Sequence, residues 1–333
     1  MASTLPRSVR DWIVIALAVL VITFTTGLLI QQKKPLLLLS LETAPVKELD
    51  AHRHHIDDAV GDHGHGVMVY SDEVITTEDL WVRGVQADVI NAPRVVLHHL
   101  TISITPPVAP DTSAPAGEQF LGARRILRSG QDVAGTVLLP KPYASFVPKG
   151  SRISISAMLH NPLPPKGPGG QYSNVFLRVG FLGLDFPAKQ AVQSSSVSLM
   201  LVDKDSATGD TFTVPPHITE YVRASSDPND IGRSTFRFPT SGTLVGLGGH
   251  IHAWEGGDRL EVELNGKRIH SFIPRLEDEG PWDWHTDYQP MLLRVAAGDV
   301  LTISAIYSNP SDKAERGAMG IVLANFAPDS ESR

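Results

Sequence analysis

The sequence predicts an all-β protein with two tandem antiparallel β-sandwich domains, jelly-roll-like, behind one N-terminal transmembrane helix. From about residue 68 onward the chain consists of short β-rich runs separated by turn residues, such as RVVLHHLTISI and DVLTISAIY. The 28 glycines and 25 prolines favour many turns over long helices. Roughly 260 residues of this pattern are enough for two sandwiches.

The composition excludes several classes of function. With 29 basic and 36 acidic residues, the formal net charge is −7, which argues against a general attraction to nucleic acid. The chain contains 0 cysteines, so disulfides, zinc–thiolate sites, iron–sulfur clusters and cysteine nucleophiles are all excluded. For metal chemistry there remain 13 histidines, 6 methionines and the carboxylates.

An uncharged stretch near the N-terminus predicts a membrane anchor. Residues 12–30 are apolar for about the length needed to cross a hydrocarbon core of ~30 Å. Gln31-Gln32-Lys33-Lys34 follows, with no small-residue cleavage pattern, so we expect the anchor to be retained rather than cleaved as a signal peptide. A short tail ahead of a large domain favours a single-pass membrane protein whose main domain is extracytoplasmic.

Composition also predicts how the chain is divided. A polar stretch at residues 188–198 separates two strand-rich halves and suggests the domain boundary. The predicted segments are a tail (1–11), the anchor (12–30), a His-rich stalk (31–66), the first sandwich (67–190), the second sandwich (191–328) and a C-terminal tail (329–333).

Three histidine motifs have spacings that suit metal binding. His250 and His252 lie in a strand-like run, where residues two apart share a face, although a pair of solvated surface histidines is an equal alternative. His98 and His99 are adjacent, so joint ligation requires a bulge or a strand end. A third motif pairs Met158 with His160, which would share a face.

Met319 lies far along the chain from these histidines. Most such methionines fill a core, but a thioether is also a soft ligand that selects Cu(I). Two histidines and one methionine, with no cysteine, would make a copper site that can take up and release one electron. A zinc site built on His250 and His252 is an alternative that the spacing leaves open.

The order of these motifs resembles that of the copper type II, ascorbate-dependent monooxygenases, the family of dopamine β-monooxygenase and peptidylglycine α-hydroxylating monooxygenase. The similar segments run in the same order over roughly residues 66–328. They are VLHHL at 96–100, MLHNP at 158–162, FTVPP at 212–216, HIH at 250–252, AGDVL at 297–301, and Met319 nine residues before Pro328.

The resemblance implies two copper ions per chain, one on each sandwich, facing a solvent-filled cleft. His250, His252 and Met319 would hold the copper at which dioxygen reacts and a substrate C–H bond is attacked. His98 and His99, with a third ligand, would hold the copper that stores an electron. Ascorbate or a similar one-electron reductant would be the co-substrate.

The chain also departs from the family pattern. The family's third histidine on the electron-storing copper corresponds to Met158, so either Met158 or His160 would complete that site, or the site is incomplete. Ile321, Leu323 and Gly248 stand where the peptide-processing member has residues that bind a substrate carboxylate. Apolar residues do not pair a carboxylate, which argues against a peptidylglycine substrate.

Two functions follow as hypotheses. The first is a membrane-anchored copper monooxygenase that hydroxylates a small-molecule or peptide substrate. The second is a non-catalytic copper-binding protein for storage, delivery or sensing on the same scaffold. The altered third ligand and the His-rich stalk motivate the second hypothesis, and reductant-driven oxygen uptake distinguishes the two.

Overall fold

The structure, a computed structural model, describes residues 35–49, 67–93, 96–107, 124–125, 135–159, 171–204, 211–227, 230, 233–251, 256–276, 284–285 and 288–329. In these residues β-strands dominate, with a short 3-10 helix at Ala188–Gln190, so the all-β prediction is confirmed. Across the same ranges no helix is both long and apolar enough to cross a membrane. The predicted anchor at 12–30 lies outside the described residues.

The strands before Ser194 form two main sheets. They are β1 (Leu37–Glu42), β2 (Val46–Leu49), β3 (Val67–Tyr70), β4 (Val74–Ile75), β5 (Leu80–Val82), β6 (Gly84–Ile90), β7 (Leu97–Thr105), β8 (Arg124–Arg125), β9 (Gly135–Leu138), β10 (Tyr143–Val147), β11 (Arg152–Leu159), β12 (Tyr172–Leu182) and β13 (Val192–Gln193). Sheet I has the order β1-β12-β6-β9, with β2 also on β12, and sheet II has the order β3-β11-β7-β8, with β4 also on β11. A small sheet, β13-β10-β5, accompanies them.

The strands after Ser194 form a second pair of main sheets. They are β14 (Ser195–Met200), β15 (Phe212–Val214), β16 (Ile218–Ala224), β17 (Thr235–Arg237), β18 (Gly242–Ile251), β19 (Gly257–Leu264), β20 (Lys267–Phe272), β21 (Arg275–Leu276), β22 (Trp284–His285), β23 (Gln289–Val295), β24 (Val300–Asn309), β25 (Glu315–Ala318) and β26 (Gly320–Pro328). Sheet III has the order β14-β26-β18-β23, and sheet IV has the order β16-β24-β19-β20, with β17 also on β24. Two short ladders, β15-β25 and β21-β22, complete the set.

Alternation along the strands builds a separate hydrophobic core in each half. In β11, Ile153, Ile155, Ala157 and Leu159 are buried, while Ser154, Ser156 and Met158 between them are only half-buried. The buried residues of sheets I and II pack into one cluster, and those of sheets III and IV pack into another. Each main sheet therefore has an inner face on a core and an outer face on the other side.

The two halves also contact each other directly. Leu139 and Tyr143 from the first half pack with Val245 and Ala327 on sheet III. Strand β8, at one edge of sheet II, lies against β14, at one edge of sheet III. Sheets II and III, which carry the predicted metal-binding histidines, are therefore neighbours at these edges.

The predicted stalk is wrong for the part of it that the structure describes. Residues 37–49 form β1 and β2, and both strands pair with β12 of sheet I. Leu41 and Leu49 are buried in the first core, and the Thr43 backbone amide donates a hydrogen bond to the Leu177 carbonyl oxygen. The leucine-rich run gains more free energy from burial in the sheet than it would as a solvated linker. All five stalk histidines lie in 50–66, outside the described residues.

A buried arginine holds one side of the second half together. Arg223 on β16 is 1% exposed, and its guanidinium lies 2.7 Å from the Asp203 carboxylate and 2.8 Å from that of Asp227. The Asp230 carboxylate is 4.0 Å away, and the Phe212 ring lies at 6.0 Å. Because the charges compensate one another, the guanidinium can stay buried.

We expect Arg223→Met to lower the free energy of unfolding by about 3 kcal/mol, because it leaves the aspartates without their buried counter-charge. Urea denaturation of the full chain in detergent measures the change. Arg237→Met is the control, since that arginine is exposed and donates to the Gly298 carbonyl oxygen at 2.7 Å. An equal effect of the two substitutions would contradict the assigned role of Arg223.

Candidate metal centres

The histidine pair of the first half lies where a strand of sheet II is irregular. On β7, His99 is paired with Met158 of β11, but the next pair joins Leu97 to Leu159. The residue between them, His98, is therefore an extra residue on β7, and this arrangement is a β-bulge. Joint ligation by adjacent histidines requires such an irregularity, and the backbone has it at this pair.

Burial of the flanking residues defines the position of the bulge relative to the core. Leu97 and Leu100 are both fully buried in the first core. In a regular strand, inward residues are separated by one outward residue. Positions 98 and 99 therefore both lie between two buried leucines, where a regular strand would have one residue. The side chains of His98 and His99 lie outside the described residues, and their role as ligands stays a prediction.

Of the two candidates for the third ligand, Met158 lies in the described part of the chain. It is half-buried on the outer face of β11, at the position directly opposite His99. Directly opposed residues of antiparallel strands have Cβ atoms about 4.5–5.5 Å apart. The register therefore puts Met158 at the histidine pair, whereas His160 lies outside the described residues.

The second predicted centre begins at the end of β18. His250 is 4% exposed and is paired with Ile321 of β26, while the next pair joins Ile251 to Gly320. Ile251 and Val322 belong to the second core, so alternation puts His250 and Ile321 on the outer face of sheet III. His252 lies outside the described residues, and its role also stays a prediction.

Met319 immediately precedes β26 and is 1% exposed. In the register that pairs His250 with Ile321, Met319 occupies the position diagonal to His250. Diagonal neighbours have Cβ atoms about 7–8 Å apart, within reach of a long side chain. The described residues of the second core include Ala318 and Val322 on either side but not Met319. Met319 is therefore buried one position beyond the last described pair of β18 and β26, and its contact with a metal shared with His250 stays a prediction.

The backbone of Met319 is fixed by one hydroxyl group. The Tyr307 hydroxyl donates to the Met319 carbonyl oxygen at 2.6 Å and accepts from the Met319 amide at 3.1 Å. Tyr307 is on β24 of sheet IV, is fully buried, and meets the Phe212 ring edge-on at 5.4 Å. The hydroxyl therefore satisfies both backbone polar groups of this buried residue.

A polar network on the outer face of sheet III has no clear signal in the sequence. The Tyr288 hydroxyl donates to Asn325 Oδ1 at 3.1 Å, and Asn325 Nδ2 donates to Ser196 Oγ at 2.9 Å. A Cβ atom at Gly246 would lie 2.0 Å from the Tyr288 hydroxyl oxygen, so glycine is needed there. Because Gly246 is paired with Asn325 and His250 with Ile321, this network lies on the same face as His250.

Two further histidine side chains, those of His270 and His217, lie in the described part of the chain. Burial lowers the pKa of His270 from its ordinary value, and its ring packs edge-on against Phe272 at 4.4 Å. His217 is exposed, with Nε2 3.5 Å from an Asp312 carboxylate oxygen. Among the described side chains, no group of three or more histidines and carboxylates is close enough together to hold a metal ion. Thioethers are a further class of soft metal donor, and Met158 and Met319 are the predicted donors of this kind.

Comparisons with known proteins give no family for this chain. No protein-family model matches the sequence, and no curated protein matches it. A structure of PNGF-II is similar at 11% identity and a TM-score of 0.39, covering 88% of this chain and 66% of that chain. A structure of the infectious bursal disease virus Gx strain is similar at 9% identity and a TM-score of 0.22, covering 88% of this chain and 67% of that chain. A crystal structure of the VP2 subviral particle of that virus is similar at 11% identity and a TM-score of 0.19, covering 89% of this chain and 72% of that chain. Similarities this weak carry no argument about function.

We expect Tyr307→Phe to lower the free energy of unfolding by about 1–3 kcal/mol, because two buried backbone groups of Met319 lose their hydrogen bonds to the hydroxyl. Urea denaturation measures this change. Tyr172→Phe, a half-buried tyrosine of β12, is the control. If both variants match the wild type, the hydroxyl does not stabilise the Met319 backbone.

Proposed function

We propose that this protein is a membrane-anchored copper-dependent monooxygenase built on two tandem β-sandwich domains, jelly-roll-like, with the main domain extracytoplasmic. His98 and His99, with Met158 or His160, would hold the electron-storing copper. His250, His252 and Met319 would hold the copper at which oxygen reacts. The observation that carries the proposal is the register of β18 and β26, in which Met319 is diagonal to His250.

The donor set at the second centre fits copper better than other metals. Imidazole suits zinc, copper and iron, but a thioether is a soft ligand that favours Cu(I). Close to His250 on the same face, Ile321, Leu323 and Gly248 supply no carboxylate or hydroxyl oxygen. Calcium and magnesium require such oxygen ligands, so this set supports a soft metal.

Bound copper would supply one-electron chemistry at the first centre and, at the second, oxygen chemistry in which one oxygen atom enters a C–H bond and the other becomes water. An ascorbate-like reductant would provide the two electrons needed to reduce the second oxygen atom to water. The chain's own residues would bind the metals and orient the substrate. Burial of His250 and Met319 keeps bulk water from these two donors.

The same face also bears on the substrate. Ile321 is half-buried and Leu323 is buried, and neither can pair with a charged group. Gly248, paired with Leu323, carries no side chain that could supply a cation. These residues support a small-molecule or peptide substrate whose reacting part is uncharged, and they argue against a free carboxylate next to Met319.

A non-catalytic copper-binding protein for storage, delivery or sensing is the second candidate. It is favoured by Met158, which stands opposite His99 where the resembling family has a histidine. A thioether at the electron-storing copper would favour Cu(I) and so retention of the reduced ion. Two bound coppers without ascorbate-driven oxygen uptake would decide for this candidate.

We expect the full chain in detergent to bind two copper ions and to consume oxygen when ascorbate and an uncharged substrate are supplied. Met319→Ile should reduce this uptake to background while the circular dichroism spectrum is unchanged, because the soft donor is lost. Met291→Ile is the matched control, since Met291 is a half-buried methionine on β23 of the same sheet. Unchanged turnover in Met319→Ile would refute the assignment.

A further inference from the structure

A second methionine lies in line with Met158 and the histidine pair. Met158 on β11 is paired with Met68 of β3 on one side and with His99 of β7 on the other. Positions 68, 158 and 99 therefore form one row across three neighbouring strands of sheet II. We call this row, with His98 at the bulge, the thioether row. Met68 is about 90 residues from Met158 in the sequence, and only the sheet brings them together.

The neighbouring row shows which face the thioether row occupies. Val69, Ala157 and Leu100 are paired across the same three strands, and all belong to the first core. Adjacent rows alternate between faces, so the thioether row lies on the outer face of sheet II. Burial agrees with this assignment, because Met68 is 43% exposed and Met158 is half-buried.

We propose that Met68 is a further metal ligand and that Met68, Met158 and the histidine pair form a thioether-rich site for Cu(I). This proposal rests on the proposed function, in which this sheet binds copper. Strands lie about 4.7–4.9 Å apart, so the middle residue of a row reaches both neighbours. Methionine has three rotatable side-chain bonds, which allow two sulfur atoms from adjacent strands to approach one ion.

Metal preference follows from the donors. Two thioethers and imidazole form a soft set, which binds Cu(I) more tightly than the harder Cu(II). The site would therefore retain copper in its reduced form. The exposure of Met68 gives a small reductant or a copper donor access to the site from solvent.

The distribution of methionines in the chain supports a functional role. Apart from Met1, the methionines are Met68, Met158, Met200, Met291 and Met319. Met68 and Met158 belong to the thioether row, and Met319 is diagonal to His250. Met200 is paired with Ile321, which is in turn paired with His250. Four of these five methionines therefore lie in line with, or diagonal to, a candidate histidine ligand.

An anaerobic Cu(I) titration of the full chain in detergent, against a chromophoric competitor, tests the proposal. Ag(I), a soft ion without redox chemistry, gives a second titration, followed by NMR of the 13C-labelled methionine methyl groups. We expect Met68→Leu and Met158→Leu each to weaken Cu(I) binding at one of two sites by about tenfold or more, as loss of a supporting group at metal sites does. In the wild type, Ag(I) should shift the methyl signals that each of these substitutions removes.

Two comparisons complete the test. Met291→Leu should leave both Cu(I) sites unchanged, and Cu(II) affinity should change little in Met68→Leu, because a thioether contributes mainly to the reduced ion. Leucine has nearly the same volume as methionine, so these variants should fold as the wild type does.

The outcomes separate this inference from the proposed function. If Met68→Leu binds Cu(I) as the wild type does, the inference is wrong, and the monooxygenase proposal stands on its other ligands. If Met68→Leu loses Cu(I) but the wild type never consumes oxygen with ascorbate, the inference holds and the oxygenase fails. If the wild type binds no copper at all, both are overturned.

Discussion

The position of the second candidate centre depends on the hydroxyl group of Tyr307. Met319 lies between β25 and β26 and is buried, so its amide and carbonyl groups need hydrogen-bond partners. The hydroxyl supplies both hydrogen bonds from the opposite sheet of the same half. Because Tyr307 is packed in the core with Phe212 against its ring, the Met319 backbone has little freedom. A thioether on a fixed backbone needs to lose less conformational entropy to bind a metal ion.

At the first candidate centre, a defect in strand pairing has the equivalent role. Regular alternation would put two adjacent histidines on opposite faces of sheet II, and only one could contribute to a shared site. At the bulge, positions 98 and 99 together stand opposite the single residue Met158 of β11. The fully buried Leu97 and Leu100 anchor the bulge on either side, so it cannot shift by one residue without exposing a leucine. The core therefore fixes the register on which the site depends.

Local patterns in the sequence were enough to predict the strands and the need for a bulge. Alternation in residues 152–159 and the adjacent histidines are both local signals. The thioether row could not be predicted this way, because it requires the pairing of β3 with β11, and no short-range rule determines which strands pair. The stalk was mispredicted for a related reason. Residues 37–49 resemble a linker in the sequence because their strand partner, β12, lies over 120 residues later in the chain. The roles of the individual ligands are chemical assignments that strand patterns alone do not make.

The residues of the two candidate centres differ in solvent exposure, and on the proposed function this difference bears on the separate roles of the two centres. Met68 is 43% exposed, so a small reductant could approach the first centre from solvent. His250 and Met319 are almost fully buried, whereas the resemblance implies a centre that faces a solvent-filled cleft. Sheets II and III meet where β8 lies against β14. A chain without disulfides would hold this contact by packing, with Leu139 and Tyr143 set against Val245 and Ala327. On the proposed function, loosening this contact would impair electron delivery between the two centres.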